Sequence, residues 1–128
     1  MTVQLRTPLS RVRGLGSAKG GTEHFWLQRL TAVALVILVL WFTGIMLSLV
    51  SASYEQAADT LGSPVGGGVA LLLILAGFWH LKLGGQVIIE DYIHHEGVKI
   101  AAIMALTFAC IAVGLVSALA VLSLVVGG

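Results

Sequence analysis

Two long stretches of this chain contain no charged side chain, over residues 30–50 and 100–126. A helix needs about 20 apolar residues to cross the hydrocarbon core of a bilayer, which is about 30 Å thick, so both stretches are long enough. A third stretch, residues 66–89, is apolar except for His80, Lys82 and Gln86. The sequence therefore predicts an all-α membrane protein with three transmembrane helices over these three stretches.

The composition supports this class and excludes others. Only 10% of the residues are charged, whereas a soluble domain carries about 25%. The net charge of +1 does not fit a strongly basic nucleic-acid-binding protein. The single cysteine, Cys110, excludes an intramolecular disulfide and a cysteine-based metal cluster. We expect one membrane domain over residues 1–128, in which a polar segment, residues 1–29, precedes the first helix.

The basic residues predict the orientation in the membrane. The loop of residues 51–65 has no lysine or arginine, and Lys99 ends the next loop, residues 90–99. Most of the other basic residues precede or open the first span: Arg6, Arg11, Arg13, Lys19 and Arg29. Because cytoplasmic segments are enriched in lysine and arginine, we expect a cytoplasmic N-terminus and a C-terminus on the opposite, periplasmic side.

His80 lies near the middle of the second predicted span, where an ionisable side chain needs a partner. Gly77 and Gly84 lie three positions before it and four after it, so we expect one helical face without side chains on either side of the imidazole. Such a face suits a flat macrocycle whose iron binds the imidazole nitrogen. A hydrogen bond from His80 to a neighbouring helix, with glycines that permit close packing, accounts for the same pattern. The spacing alone leaves both interpretations open.

Asp91 and Tyr92 close the second predicted span at its cytoplasmic end. Asp91 stands 11 positions beyond His80, which returns it to within about 20° of the same helical face, about 16 Å further along. A tyrosine hydroxyl beside a carboxylate can donate a hydrogen bond to a quinone carbonyl and take part in its protonation. Each residue by itself is also ordinary at a membrane interface.

The other polar residues have simpler interpretations. Lys82 points away from His80, and its stem is expected to reach toward the cytoplasmic surface. Arg29 is either a headgroup contact or the partner of a buried anion. We interpret His94 and His95 as part of a polar turn ended by Gly97 rather than as a metal site. We assign no role to His24.

Two motifs resemble a known family. The first runs from His80 to Tyr92, with the sequence His-Leu-Lys-Leu-Gly-Gly-Gln-Val-Ile-Ile-Glu-Asp-Tyr. The second, His-Phe-Trp-Leu-Gln-Arg-Leu-Thr-Ala over residues 24–32, follows Ser10-Arg11 and a glycine-rich segment, residues 14–20. Together they resemble the small cytochrome b membrane anchor subunits of succinate dehydrogenase (respiratory complex II), of the alphaproteobacterial and mitochondrial-like branch.

The resemblance implies roles for four residues. His80 would be one axial ligand of a haem b, the other coming from the partner anchor subunit of the same complex. Tyr92, with Asp91 beside it, would lie at the ubiquinone site that faces the iron–sulfur subunit. Arg29 would lie near the haem propionates and the quinone pocket.

The resemblance also implies a place in the cell and in metabolism. The chain would be a multi-pass protein of the bacterial inner membrane, surrounded by lipid and serving electron transport and the tricarboxylic acid cycle. Succinate would be oxidised on the flavoprotein subunit, and electrons would reach this chain only for quinone reduction.

Two functions of another class remain open on the residues alone. One is a structural membrane anchor with the same fold and no haem. The other is a small transporter or scaffold protein in which His80 and Lys82 line a polar path. A Soret absorbance band separates the haem-binding function from both.

Overall fold

A computed structural model of the chain describes residues 8–9 and 19–127. Within residues 19–127 four helices follow one another: α1 (Lys19–Ser48), α2 (Tyr54–Gly62), α3 (Pro64–Tyr92) and α4 (Glu96–Gly127). By length and hydropathy, three stretches of helix are able to span a membrane, over Gly21–Ser48, Pro64–Tyr92 and Glu96–Gly127. The prediction of an all-α membrane protein with three transmembrane helices is confirmed. Arg6, Ser10, Arg11, Arg13 and the glycines at positions 14 and 16 lie outside the described residues.

The long helices extend beyond the apolar stretches that predicted them. The first begins at Lys19 rather than at residue 30, and the last begins at Glu96 rather than at residue 100. With 30 residues, α1 is about 45 Å long, against about 30 Å for the hydrocarbon core. Hydropathy marks only the part of a helix that lies in hydrocarbon, whereas the backbone hydrogen bonds continue into the headgroup region.

The segment predicted as a loop, residues 51–65, contains the short helix α2. Ser53 caps its start: the Oγ of Ser53 accepts from the backbone N–H of Gln56 at 3.2 Å, and the Ser53 N–H donates to the Gln56 Oε1 at 3.0 Å. This reciprocal pair is a capping box. Ser63 then caps α3 by accepting from the N–H of Gly66 at 3.0 Å, with Pro64 in the first helical turn. Prediction of a loop from polar composition missed these caps.

The third helix, α3, lies in the centre of the fold. It packs against α1 on one side and α4 on the other, and within residues 19–127 no Cα atom of α1 lies within 8 Å of a Cα atom of α4. The three spans therefore lie side by side rather than in a closed bundle. Few apolar side chains are buried within this chain: Val69, Ala70, Leu83 and Cys110. The remaining apolar faces are left for lipid or for other membrane helices to cover.

Small residues set the distance between α3 and α4. A Cβ atom at Gly85 would lie 2.7 Å from the Cδ2 of Leu106, and one at Gly67 would lie 2.5 Å from a methyl carbon of Val125. Such close approach of helix backbones is the usual reason for glycine in transmembrane interfaces. The α3–α4 pair is thus the tightly packed part of the fold.

Candidate functional site

A row of polar side chains on α1 faces α3. His24, Gln28 and Thr31 recur at intervals of four and three residues, which places them on one helical face. All three are half-buried. Because α1 and α3 are successive spans, they run in opposite directions, and this row lies along the part of α3 that carries His80.

His80 is hydrogen-bonded to Thr31. The Nδ1 of His80 lies 3.0 Å from the Oγ1 of Thr31. The same hydroxyl also lies 2.8 Å from the carbonyl oxygen of Leu27 and 3.1 Å from that of Gln28, both one turn back on α1. His80 is therefore connected to the neighbouring helix through a side chain that is itself fixed to its own backbone.

The glycines on either side of His80 do not form an open face. A Cβ atom at Gly77 would lie 3.8 Å from the Cδ2 of Leu35, and one at Gly84 would lie 3.4 Å from the Nε2 of Gln28. The face of α3 carries no side chain at these two positions, as expected, but α1 packs over both glycines and covers it. These separations are ordinary van der Waals contacts, so the two positions permit close helix packing without strictly requiring glycine.

A cavity of about 460 Å³ opens between α1 and α3. His80 and Arg29, which the sequence singled out separately, both line it. The other lining residues come mostly from the polar row and its neighbours on α1: Gly21, His24, Phe25, Gln28, Ala32 and, from α3, Val87. The cavity thus has an imidazole and a guanidinium beside apolar walls.

Two polar atoms at this cavity have no partner within the described chain. The Nε2 of His24 and the Oε1 of Gln28 are buried, and neither makes a hydrogen bond to a described residue. A buried polar atom left unpaired costs about 1–3 kcal/mol. Such a cost is expected where a bound group or another subunit completes the hydrogen bonding.

Arg29 brings a positive charge to the lining of this cavity. Its guanidinium carbon lies 5.1 Å from the centre of the Phe25 ring, a cation–π contact. Within the described residues no carboxylate forms an ion pair with it, since the ion pair found there joins Lys99 to Glu96. An anion placed at the cavity would therefore find a guanidinium available.

Asp91 and Tyr92 lie outside the cavity, at the end of α3. Both are exposed, and Tyr92 keeps 79% of its surface accessible. Tyr92 stands five positions beyond Val87, about 7–8 Å further along the helix axis. In the described chain neither residue makes a side-chain hydrogen bond, whereas the neighbouring Glu90 accepts one from Gln86 at 2.8 Å. The structure thus leaves this pair free for contacts beyond the chain.

Lys82 belongs to a different cavity. This one, of about 440 Å³, lies between α3 and α4 and has mainly apolar walls, among them Phe78, Trp79, Cys110 and Leu115. Two positions along a helix turn a side chain by about 200°, so Lys82 and His80 face different neighbours. His80 and Lys82 thus line two different cavities, whereas the transporter alternative needs them to line one polar path.

Of the two histidines between α3 and α4, His95 has a structural role. The Nδ1 of His95 accepts from the backbone N–H of Val98 at 3.3 Å, which caps the start of α4. Gly97 lies in the first turn of that helix and does not end the polar turn, contrary to the prediction. No group of three or more histidine, cysteine or acidic residues is placed to hold a metal ion in the described part of the chain.

The sequence interpretation missed three residues of the site: Thr31, Gln28 and His24. Their signal was the four-and-three spacing of polar side chains that begins before the first apolar stretch and continues into it. A threonine is easily overlooked in a transmembrane segment, since its hydroxyl can bond to the preceding turn of the same helix.

Three transmembrane helices and a histidine-lined cavity between two of them define a small multi-pass membrane protein. Comparison with known proteins identifies the family. The chain matches the family model of the succinate dehydrogenase/fumarate reductase transmembrane subunit over residues 4–116. The chain therefore belongs to this family, and it serves as a membrane anchor in a complex with other subunits.

Individual relatives agree with this assignment. The chain is 34% identical over 93 residues to the succinate dehydrogenase hydrophobic membrane anchor subunit of Rickettsia bellii. The aligned region covers 73% of this chain and 74% of the relative. It is 32% identical over 102 residues to the subunit of the same name from Paracoccus denitrificans, covering 80% of this chain and 79% of that one. The succinate dehydrogenase membrane anchor subunit of Reclinomonas americana is 26% identical over 88 residues, covering 66% and 73%. No solved structure gave a significant match.

Proposed function

We propose that this chain is a membrane anchor subunit of succinate:ubiquinone oxidoreductase that binds haem b together with the partner anchor subunit and helps to form the site of ubiquinone reduction. The observation that carries the proposal is the cavity between α1 and α3, where His80 and Arg29 lie together. The family assignment supplies the class of complex, and the cavity supplies residues of the right chemistry.

The residues at the cavity fit a haem. His80 is the one histidine deep in a span, and an imidazole is the commonest protein ligand of haem iron. Arg29 would pair with a propionate, since a guanidinium binds carboxylates through two parallel hydrogen bonds. The unpaired Nε2 of His24 would meet the polar edge of the haem. The apolar side chains of Phe25 and Val87 would meet its ring. A bound haem b supplies reversible one-electron oxidation and reduction.

A single chain cannot complete such a site. Its spans offer one imidazole near the middle of the membrane, so a haem with two axial histidines needs a ligand from a second chain. The side-by-side arrangement of the spans leaves faces that only lipid or another subunit can cover. These features support a shared haem at the contact with the partner anchor subunit, so that this chain forms half of a haem-binding anchor bundle.

Tyr92 and Asp91 are proposed to serve the quinone. Their exposure at the end of α3 leaves them free to face the iron–sulfur subunit. The phenol of Tyr92 would donate a hydrogen bond to a carbonyl oxygen of ubiquinone, where negative charge develops as electrons arrive. Asp91 would orient the phenol or resupply its proton. Succinate oxidation itself is assigned to the flavoprotein subunit.

A haem-free structural anchor is the second candidate, because Thr31 already gives His80 a hydrogen-bond partner. The two candidates differ in the absorbance spectrum of the chain purified with its partner subunits. We expect a Soret band and a b-type haem that is reduced on adding dithionite, at one haem per complex. An assembled complex that reduces ubiquinone without any Soret band would contradict haem binding and support the structural anchor.

A further inference from the structure

The hydroxyl of Thr31 has three polar neighbours and only one hydrogen to give. Two of the neighbours are the carbonyl oxygens of Leu27 and Gln28, at 2.8 and 3.1 Å from the Oγ1. The third is the Nδ1 of His80 at 3.0 Å. Carbonyl oxygens carry no hydrogen, so a hydrogen bond to Leu27 or to Gln28 must use the hydroxyl hydrogen of Thr31. That hydrogen then points back along α1.

The direction of that hydrogen determines the tautomer of His80. With its hydrogen directed at the backbone, Thr31 presents lone pairs to the imidazole and can only accept. The Nδ1 of His80 must then carry a hydrogen and donate it to Thr31. In a neutral imidazole the other nitrogen is left with the lone pair, and the Nε2 of His80 makes no hydrogen bond to any described group.

The packing around Thr31 fixes where its hydroxyl lies. Threonine is branched at Cβ, which restricts its side-chain rotation in a helix, and the back-bond to α1 selects one rotamer. On either side of the Thr31–His80 pair, Leu35 lies against Gly77 and Gln28 against Gly84. The two helices are therefore packed together on both sides of the hydroxyl and the imidazole.

We propose that Thr31 is a positioning residue for His80: it accepts the hydrogen bond from the Nδ1–H, keeps the Nε2 free as the metal-binding nitrogen and fixes the plane of the ring. The inference rests on the proposed function, since it assumes that His80 binds haem iron. A hydrogen bond to the second nitrogen of a ligating imidazole holds the ring in place and makes the coordinating nitrogen a stronger donor.

The test compares four complexes: wild type, Thr31→Val, Thr31→Ser and Thr107→Val. Valine keeps the shape of threonine but removes the hydroxyl, whereas serine keeps the hydroxyl. Thr107 is the matched control because its hydroxyl also bonds one turn back, to Ile103 at 2.8 Å, but contacts no histidine. The measurements are the midpoint potential of the haem, its low-spin electron paramagnetic resonance g values, and the rate of haem transfer to an excess of a haem-scavenging protein.

We expect Thr31→Val to raise the haem potential, to shift the g values and to speed haem loss about 10-fold or more. The potential rises because a weaker imidazole donor stabilises ferric iron less. Thr31→Ser should restore all three values, and Thr107→Val should match wild type. Should Thr31→Val fail to assemble, Thr31→Ala, which also lacks the hydroxyl, is measured in its place.

The outcomes separate this inference from the proposed function. If the wild-type complex contains haem and the variants that lack the hydroxyl give the same potential, g values and rate of haem loss, the role of Thr31 is overturned. Haem binding by the complex is then left intact. Equal shifts in Thr31→Val and Thr31→Ser overturn it as well, because they assign the effect to packing. A wild-type complex without haem overturns both proposals.

Discussion

Arg29 and His80 line one cavity although they stand on different transmembrane helices. The contact between α1 and α3 brings them together, through the row of polar residues on α1 that ends at Thr31. An imidazole is able to bind haem iron and a guanidinium is able to pair with a propionate, so the two groups at this cavity suit a haem. The relationship between these two residues carries the functional proposal.

Replacement of Tyr92 by phenylalanine tests the quinone role. Loss of one hydrogen-bond donor to a developing oxyanion typically costs on the order of 10²–10³ in rate. We expect Tyr92→Phe to lower succinate:ubiquinone activity by about this factor. Succinate oxidation with an artificial acceptor at the flavin should stay near the wild-type rate.

The other tyrosine of the chain provides the control for this experiment. Tyr54 is also exposed, but it begins α2 near the opposite end of α3. Tyr54→Phe should leave both activities unchanged. If Tyr92→Phe lowers both activities in parallel, or neither, the quinone role assigned to Tyr92 is wrong.

The fold was largely predictable from the sequence, because the length of an uncharged stretch directly reports the ability to span a bilayer. The ends of the helices were not, since α1 begins at Lys19, among polar residues that hydropathy does not distinguish from loop. The helix α2 was missed for a similar reason: its stability depends on the Ser53 capping box rather than on an apolar pattern.

The site was predictable only in part. His80 and Arg29 stand out because ionisable residues are rare in or beside apolar spans. The cavity that they share depends on which face of α1 meets α3. Hydropathy identifies each span separately and does not specify that contact. The same contact explains why Gly77 and Gly84 lie under α1 and do not frame an open face. The role of Asp91 and Tyr92 at the quinone site stays a prediction. Both are exposed at the end of α3, so the groups they would contact lie beyond this chain.

The topology predicted from the basic residues can be tested with fusions. A fluorescent protein that folds only in the cytoplasm should be silent when fused after Gly128, because α4 is expected to end in the periplasm. The same protein fused after Ile93, in the connection between α3 and α4, should fluoresce. Strong fluorescence of the Gly128 fusion would contradict the N-in, C-out orientation.

Two neighbouring glycines at the start of α3 should differ in their tolerance of alanine. A Cβ atom at Gly66 would overlap the carbonyl oxygen of Thr60, whereas one at Gly68 would meet nothing within 4 Å. Overpacking against backbone typically costs about 1–3 kcal/mol, which exceeds the gain of up to about 1 kcal/mol from alanine in a helix. We expect Gly66→Ala to lower the thermal midpoint of the purified complex and Gly68→Ala to leave it unchanged or raise it. Equal midpoints for the two variants would contradict the packing of α2 against α3.

Whether His80 binds haem iron is tested by the reduced-minus-oxidised absorbance spectrum of the complex carrying His80→Ala. His94→Ala is the control, because His94 is an exposed histidine outside the spans. We expect His80→Ala to remove or greatly weaken the haem b signal in a complex that still contains all its subunits, while His94→Ala keeps the wild-type spectrum. An unchanged low-spin bis-histidine spectrum in His80→Ala would rule out His80 as a haem ligand.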